Sequence, residues 1–130
     1  MAKATIPSGH ESILFIDDEK SLLTLLNKLF ARLGYTVFVA SDGNTAESEF
    51  LKNSEIIELV VIDQFLQNQN GIELLKKFIA IKPDIKVILT SGYSIDEEFQ
   101  NLSSSIVKEY LEKPYNVEQL ARTVRKVLDS

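Results

Sequence analysis

Three short apolar runs, each stopping abruptly on polar residues, constrain the fold of this chain more than any other feature. Ile13-Leu14-Phe15-Ile16 stops at Asp17-Asp18, Leu59-Val60-Val61-Ile62 at Asp63, and Val87-Ile88-Leu89 at Thr90-Ser91-Gly92. A strand with one wet face alternates apolar and polar residues. A run apolar at every position suits a strand covered on both faces, as in a parallel sheet flanked by helices.

The segments between these runs have helical period. Leu22, Leu23, Leu25, Leu26, Leu29, Phe30 and Leu33 recur at helical spacing up to Gly34, which is placed to end a helix. Tyr35 to Ala40 (YTVFVA) is β-branched and aromatic and reads as a second strand. Ser41-Asp42-Gly43 turns into a helix over about 44–53. After a polar loop, Ile72, Leu75, Phe78 and Ile79 mark a third helix that must stop before Pro83. Ser94 to Ser105 is polar and carries only a weak helical pattern. Val107 to Glu112 reads as a fifth strand ending at Lys113-Pro114, and Val117, Leu120, Ala121, Val124, Val127 and Leu128 mark a last amphipathic helix. Five βα units in succession imply an α/β fold, a doubly wound five-stranded parallel sheet with helices on both faces. Right-handed crossovers then put the functional site at the carboxyl ends of the strands.

With 130 residues the chain suits a single domain, over 12–130, after a flexible leader at 1–11 that contains Pro7, Ser8 and Gly9. It has no cysteine, which excludes disulfides, thiolate catalysis and Cys-based zinc sites. A formal net charge of −5 gives the chain as a whole no footprint for nucleic acid. No apolar run approaches the roughly 20 residues of a membrane helix. The start, MAKATIPSGHES, lacks the apolar stretch of a secretory signal, so a cytoplasmic location is expected.

The residues that look chemical sit where apolar runs end: Asp17 and Asp18, Asp63, Ser91 and Lys113. A parallel sheet brings these strand ends to one edge. Carboxylates crowded there repel unless a cation neutralises them, and oxygen ligands without His or Cys point to a hard ion. Magnesium is favoured, because it takes one or two carboxylates and leaves its other positions to water and phosphate oxygens. Lys113 adds a fixed positive charge and Ser91 a hydroxyl donor. A nucleophile, a metal, a cation and a donor together are what phosphoryl transfer requires. Each residue also has a plainer reading. The first two acids could cap a helix, Asp63 and Ser91 could be turn residues, and Lys113 could be a solvated lysine.

The segments ILFIDDE (13–19), ELVVID (58–63), NGIELL (70–75), VILTSGYS (87–94) and YLEKPY (110–115) resemble the response-regulator receiver family, and the resemblance covers about 12–129. It implies a flavodoxin-like (βα)5 fold with strand order 2-1-3-4-5. By the same resemblance Asp63 would be the phosphoacceptor and Asp18 a direct Mg2+ ligand. Asp17 would act largely through metal-bound water, and the backbone carbonyl of Phe65 would be a further ligand. Ser91 would be the switch hydroxyl, Tyr110 the aromatic rotamer switch (half-buried packing is an equal reading), and Lys113 the phosphate-pairing cation, often followed in this family by a cis proline bond. The loop QFLQNQNG (64–71) departs from the pattern: Leu66 and Gln67 stand at the usual Met-Pro pair and Asn70 at an acid. Phe65 and Tyr93 occupy the two positions that tune hydrolysis in the family, and aromatics there imply slow autodephosphorylation.

The expected function is a phosphoryl-accepting switch of a two-component phosphorelay, charged by a sensor histidine kinase or phosphotransfer protein. It would not be an enzyme in the turnover sense. Output would pass to a partner protein through the face of the fourth helix, fifth strand and fifth helix, since no effector domain follows Ser130. A receiver-like module that is not phosphorylated is the alternative, motivated by the altered loop. A haloacid-dehalogenase-type phosphatase would need a DxD pattern where this chain has adjacent Asp17-Asp18. A flavodoxin-like FMN carrier would need a Ser-, Thr- and Gly-rich first loop where this one is acidic. The GHES leader and the SGYS segment resemble receivers of hybrid sensor kinases, so both a free-standing receiver and a fragment of a longer protein are open.

Overall fold

The computed structural model describes residues 6–67, 69–92 and 107–130. Its main sheet contains β1 (Ser12–Ile16), β2 (Thr36–Ala40), β3 (Ile57–Asp63), β6 (Lys86–Ser91) and β7 (Val107–Glu112). All pairings in it are parallel, in the order β2-β1-β3-β6-β7. Counting main-sheet strands alone, this is 2-1-3-4-5, as the family resemblance implied. The helices among the described residues are α1 (Lys20–Arg32), α2 (Gly43–Asn53), α3 (Gly71–Ile81) and α4 (Val117–Leu128). The helix expected over 94–105 lies outside the described residues.

The continuous apolar runs are explained by two cores, one on each face of the sheet. Leu14, Ile16, Val60, Ile62, Val87 and Leu89 point to one face, where α2 and α3 supply Ala46, Phe50, Leu74, Leu75 and Phe78. Ile13, Phe15, Leu59, Val61 and Ile88 point to the other, against Leu23, Leu26 and Phe30 of α1 and Leu120, Ala121, Val124 and Val127 of α4. Alternate side chains of the runs 13–16, 59–62 and 87–89 thus meet different helix pairs, and no position in those runs is left for a polar residue. Phe50 and Phe78 stack with centroids 4.3 Å apart, which locks α2 to α3.

Local signals set the helix ends. Asp42 caps α2 by accepting the Thr45 N–H at 2.7 Å, and Asn116 caps α4 by accepting the Gln119 N–H at 2.7 Å. Gly34 takes φ 103° just past α1, the left-handed conformation that ends helices and favours glycine. The polar loop after β3 holds more order than its sequence suggests. Phe65–Leu66 (β4) and Gln69–Asn70 (β5) pair antiparallel in a small hairpin. Of the stretch read as a leader, residues 6–11 carry no helix or strand, yet the Gly9 N–H donates to the Leu33 carbonyl at 3.0 Å.

Candidate functional site

The acidic site forms at the carboxyl edge because β1 and β3 are neighbours paired in parallel. The register sets Ile16 beside Ile62, so the acids just past each run emerge side by side. Asp17 is held by its own backbone: its N–H donates to the Ala40 carbonyl at the end of β2 at 3.2 Å. Its Oδ1 accepts the Glu19 N–H at 2.9 Å. Glu19, not an aspartate, stands at the N-cap position of α1, and it makes no side-chain cap. The plain helix-cap reading of the two acids therefore does not describe this structure. Asp17 is buried and Asp18 exposed.

Asp63 ends β3 with its side chain 9% exposed. Its Oδ1 accepts the Phe65 N–H at 3.1 Å and its Oδ2 accepts a bond from Lys113 Nζ at 3.0 Å. The same Nζ donates to Asp17 Oδ2 at 2.7 Å, so Lys113 bridges the two acids. Burial pushes the Asp63 carboxyl above the usual range, against the opposing pull of Lys113 and of the Phe65 N–H. For Lys113, burial favours the neutral amine, but the bonds to Asp17 and Asp63 outweigh it and hold the ammonium charged.

Asp17, Asp18 and Asp63 offer carboxylate oxygens that all lie within 4.8 Å of one another. An all-oxygen, carboxylate-rich donor set of this size fits a hard divalent ion such as Mg2+, and nothing in it recruits a softer metal. Ser91 closes β6, fully buried, one residue past the Thr90 that pairs with Asp63. The Lys113 N–H donates to the Ser91 carbonyl at 2.7 Å, which ties the lysine's backbone to the end of β6. The Lys113-Pro114 peptide is cis, as the resemblance implied. Tyr110, on β7, is half-buried and packs against the core on the α2–α3 face. Phe65 projects outward, 47% exposed, beside the acceptor. Tyr93 lies outside the described residues.

The loop that departs from the family pattern keeps its physical duties. Leu66 is buried in the core. Asn70 caps α3 by accepting the Ile72 N–H at 2.9 Å, a duty an amide oxygen performs as well as a carboxylate. Sequence reasoning reaches Gly71 only as part of a motif, whereas a Cβ there would lie 2.8 Å from the Asp63 carbonyl oxygen. The Gly71 N–H donates to the Gln64 carbonyl at 2.8 Å, so α3 begins in backbone contact with the acceptor strand. Sequence reasoning misses Tyr115 too. It lines an apolar recess of about 400 Å3 with Glu19, Leu22, Gly92, Lys113 and Pro114, and burial, with Asp17 second, pushes its hydroxyl up to about 12.

The receiver-domain profile of response regulators matches residues 13–125, which include every residue of this site. The chain is 32% identical to sensor kinase CckA of Brucella abortus over 98% of its own length but only 13% of that protein. It is 30% identical to sporulation initiation phosphotransferase F of Bacillus subtilis, covering 92% of this chain and 94% of that one. Among solved structures, response regulator TrrA of Thermotoga maritima in complex with Mg2+-BeF superposes with a TM-score of 0.75 at 31% identity, over 90% of this chain and 98% of that one. The chain thus spans nearly all of some relatives and a small part of others. Fold, acidic strand ends and profile agree: the chain belongs to the response regulator receiver domain family.

Proposed function

We propose that residues 12–130 form a phosphoryl-accepting switch in which Asp63 is the phosphoacceptor. The observation that carries this reading is the convergence of three carboxylates from two strands within 4.8 Å, with Lys113 bridging Asp17 and Asp63. A partner's phosphohistidine, on a sensor kinase or phosphotransfer protein, is the donor. An Asp63 oxygen forms a bond to phosphorus as the donor's N–P bond breaks, and the freed imidazole takes up a proton. The product is an acyl phosphate on Asp63. Asp18, Asp63, the Phe65 carbonyl and, through water, Asp17 would hold Mg2+, which would supply charge neutralisation for the transferred group. Lys113 already touches the acceptor carboxylate, so a phosphoryl group added there meets a preorganised cation. The Phe65 N–H fixes the carboxylate's rotation through Oδ1.

A dianion at Asp63 draws the Ser91 hydroxyl and Lys113 inward and repacks Tyr110. The change is read by a partner protein at the face of β7, α4 and the segment between β6 and β7. The chain turns over no substrate of its own, and the same proposal places it in the cytoplasm with its donor. No described helix is long and apolar enough to cross a membrane. The non-phosphorylated alternative loses its motive, because the altered loop still fills the core with Leu66 and caps α3 with Asn70.

The test is intact mass after incubation with acetyl phosphate and Mg2+. Wild type gains one phosphoryl group and Asp63→Asn gains none. No gain in wild type, or an equal gain in the variant, overturns the assignment.

A further inference from the structure

On the side of the fold away from the acids, one arginine gathers four residues from three segments of chain. Arg125 of α4 donates through Nη1 to the Ser8 carbonyl at 3.2 Å, to Glu11 Oε1 at 3.1 Å and to the Tyr35 hydroxyl at 3.2 Å. Its Nη2 completes a two-pronged grip on the Glu11 carboxylate. Nε and Nη2 hold Asp129, at the end of the same helix, at 3.1 and 2.8 Å. Glu11 is only 10% exposed in its side chain, and the Arg125 bond holds its carboxyl down at about 2. A planar fork with five donors serves this geometry, and a lysine could not reproduce it.

The backbone is cut to receive this grip. A Cβ on Gly9 would lie 2.3 Å from the Tyr35 ring and 2.5 Å from Arg125 Nη1. A Cβ on Gly34 would lie 2.3 Å from the Gly9 carbonyl oxygen. Two glycines face each other where the segment before β1 crosses the α1–β2 turn, and the Gly9 N–H donates to Leu33 across that gap. A segment merely trailing from a domain needs neither a bidentate buried partner nor two positions without side chains.

We propose that Arg125 is a clasp making residues 8–11 and α4 one mechanical unit, so that a displacement of α4 is passed directly to the chain segment that leads into β1. That α4 moves when Asp63 is modified rests on the function proposed above; the clasp itself does not.

Hydrogen exchange of the full chain, read at single amides, tests it. In Arg125→Gln the Gly9 amide exchanges roughly ten- to a hundredfold faster, the range for losing a charge-assisted bond of this kind, while amides of β1 and β3 are unchanged. The reverse arm is Gly9→Ala, which pries the segment away. It speeds exchange at the Asp129 amide, whose bond to the Arg125 carbonyl is 3.0 Å long. Unchanged Gly9 protection in Arg125→Gln, or unchanged Asp129 protection in Gly9→Ala, overturns the clasp. A third arm adds Mg2+ and beryllofluoride to wild type: changed exchange in α4 must be accompanied by a change at Gly9, and a change in α4 alone overturns the coupling. No change in α4 counts against the phosphoacceptor reading, and the clasp is then decided by the two variants.

Discussion

Replacing Lys113 with methionine removes the charge while keeping most of the side chain's length, and the local geometry sets the size of the effect. Lys113 Nζ lies 2.7 Å from Asp17 and 3.0 Å from Asp63, with side-chain exposures of 21%, 6% and 9%. This is the partly buried regime, in which removing one partner strands the others and costs about 3–5 kcal/mol. Coulomb's law gives a similar figure: two carboxylates with oxygens no more than 4.8 Å apart, at an effective dielectric near 20, repel by roughly 3 kcal/mol or more, and Lys113 offsets that repulsion. In EDTA, Lys113→Met therefore melts about 10–15 °C below wild type at neutral pH. Magnesium must share Asp17 and Asp63 with the ammonium in wild type but not in the variant. The variant consequently binds Mg2+ at least about tenfold more tightly and recovers part of its deficit by mass action. Thermal melts across a Mg2+ titration read both effects. Equal melting temperatures in EDTA together with equal Mg2+ midpoints would refute the claim that Lys113 is the site's resident counter-ion.

Other perturbations have defined signs. Asp63→Asn removes a carboxylate whose burial raises its pKa, so its ionised form costs stability above the ordinary carboxylate range; the variant melts higher than wild type at pH 7 and gains nothing near pH 3, and a lower melting point at pH 7 contradicts the crowding argument. Gly71→Ala forces a methyl group to 2.8 Å from a backbone oxygen that cannot swing away, and urea denaturation should show a loss of about 1–3 kcal/mol; a neutral effect refutes the close approach. Glu11, held near 2 against 4.5 by Arg125, contributes up to about 3 kcal/mol at neutral pH, present above the unfolded value and lost as pH falls towards 2. The melting gap between wild type and Glu11→Gln accordingly narrows from pH 7 to pH 3. Phe65, 47% exposed beside the acceptor, is placed where it could screen attacking water; on that hypothesis the phosphorylated domain is expected to lose its label slowly and Phe65→Ala faster, and a wild-type half-life of seconds counts against it.

The sheet and its acidic edge were legible because both rest on one-dimensional patterns. Burial on two faces removes polar residues from a strand, so Leu59-Val60-Val61-Ile62 announced itself, and Asp63 stood out because no packing argument ends such a run on a carboxylate. The β6 boundary was blurred. Ser91, followed by Gly92, reads equally as turn chemistry, yet the strand runs through Ser91, because pairing to Glu112 of β7 satisfies that backbone. The hairpin of β4 and β5 carries no Gly-rich turn signature and was invisible in the sequence. So was the docking of Ser8, Gly9 and Glu11, because Arg125 lies more than a hundred positions away and nothing local pairs them. Patterns within a segment survive in the sequence; contacts between distant segments do so only where a topological rule, as at the strand ends, brings them together.

The altered loop shows why a motif should be converted to physical duties before its loss is taken as loss of function. The family's acid before the glycine and the Asn70 found here have an oxygen at the same place, and the start of α3 needs only that oxygen. The Met position needs an apolar side chain of similar volume, which Leu66 supplies at 7% exposure. Neither change touches the backbone bonds that aim the acceptor, from the Gln64 N–H to the Thr90 carbonyl and from the Gly71 N–H to the Gln64 carbonyl, both 2.8 Å. The position that cannot be exchanged is the glycine, where there is no room for even a methyl group. By this reasoning, restoring an aspartate at Asn70 changes phosphorylation by acetyl phosphate little, whereas Gly71→Ala slows it by disturbing the end of β3. The reverse ranking would mean that the loop acts through its charge and not through its backbone path.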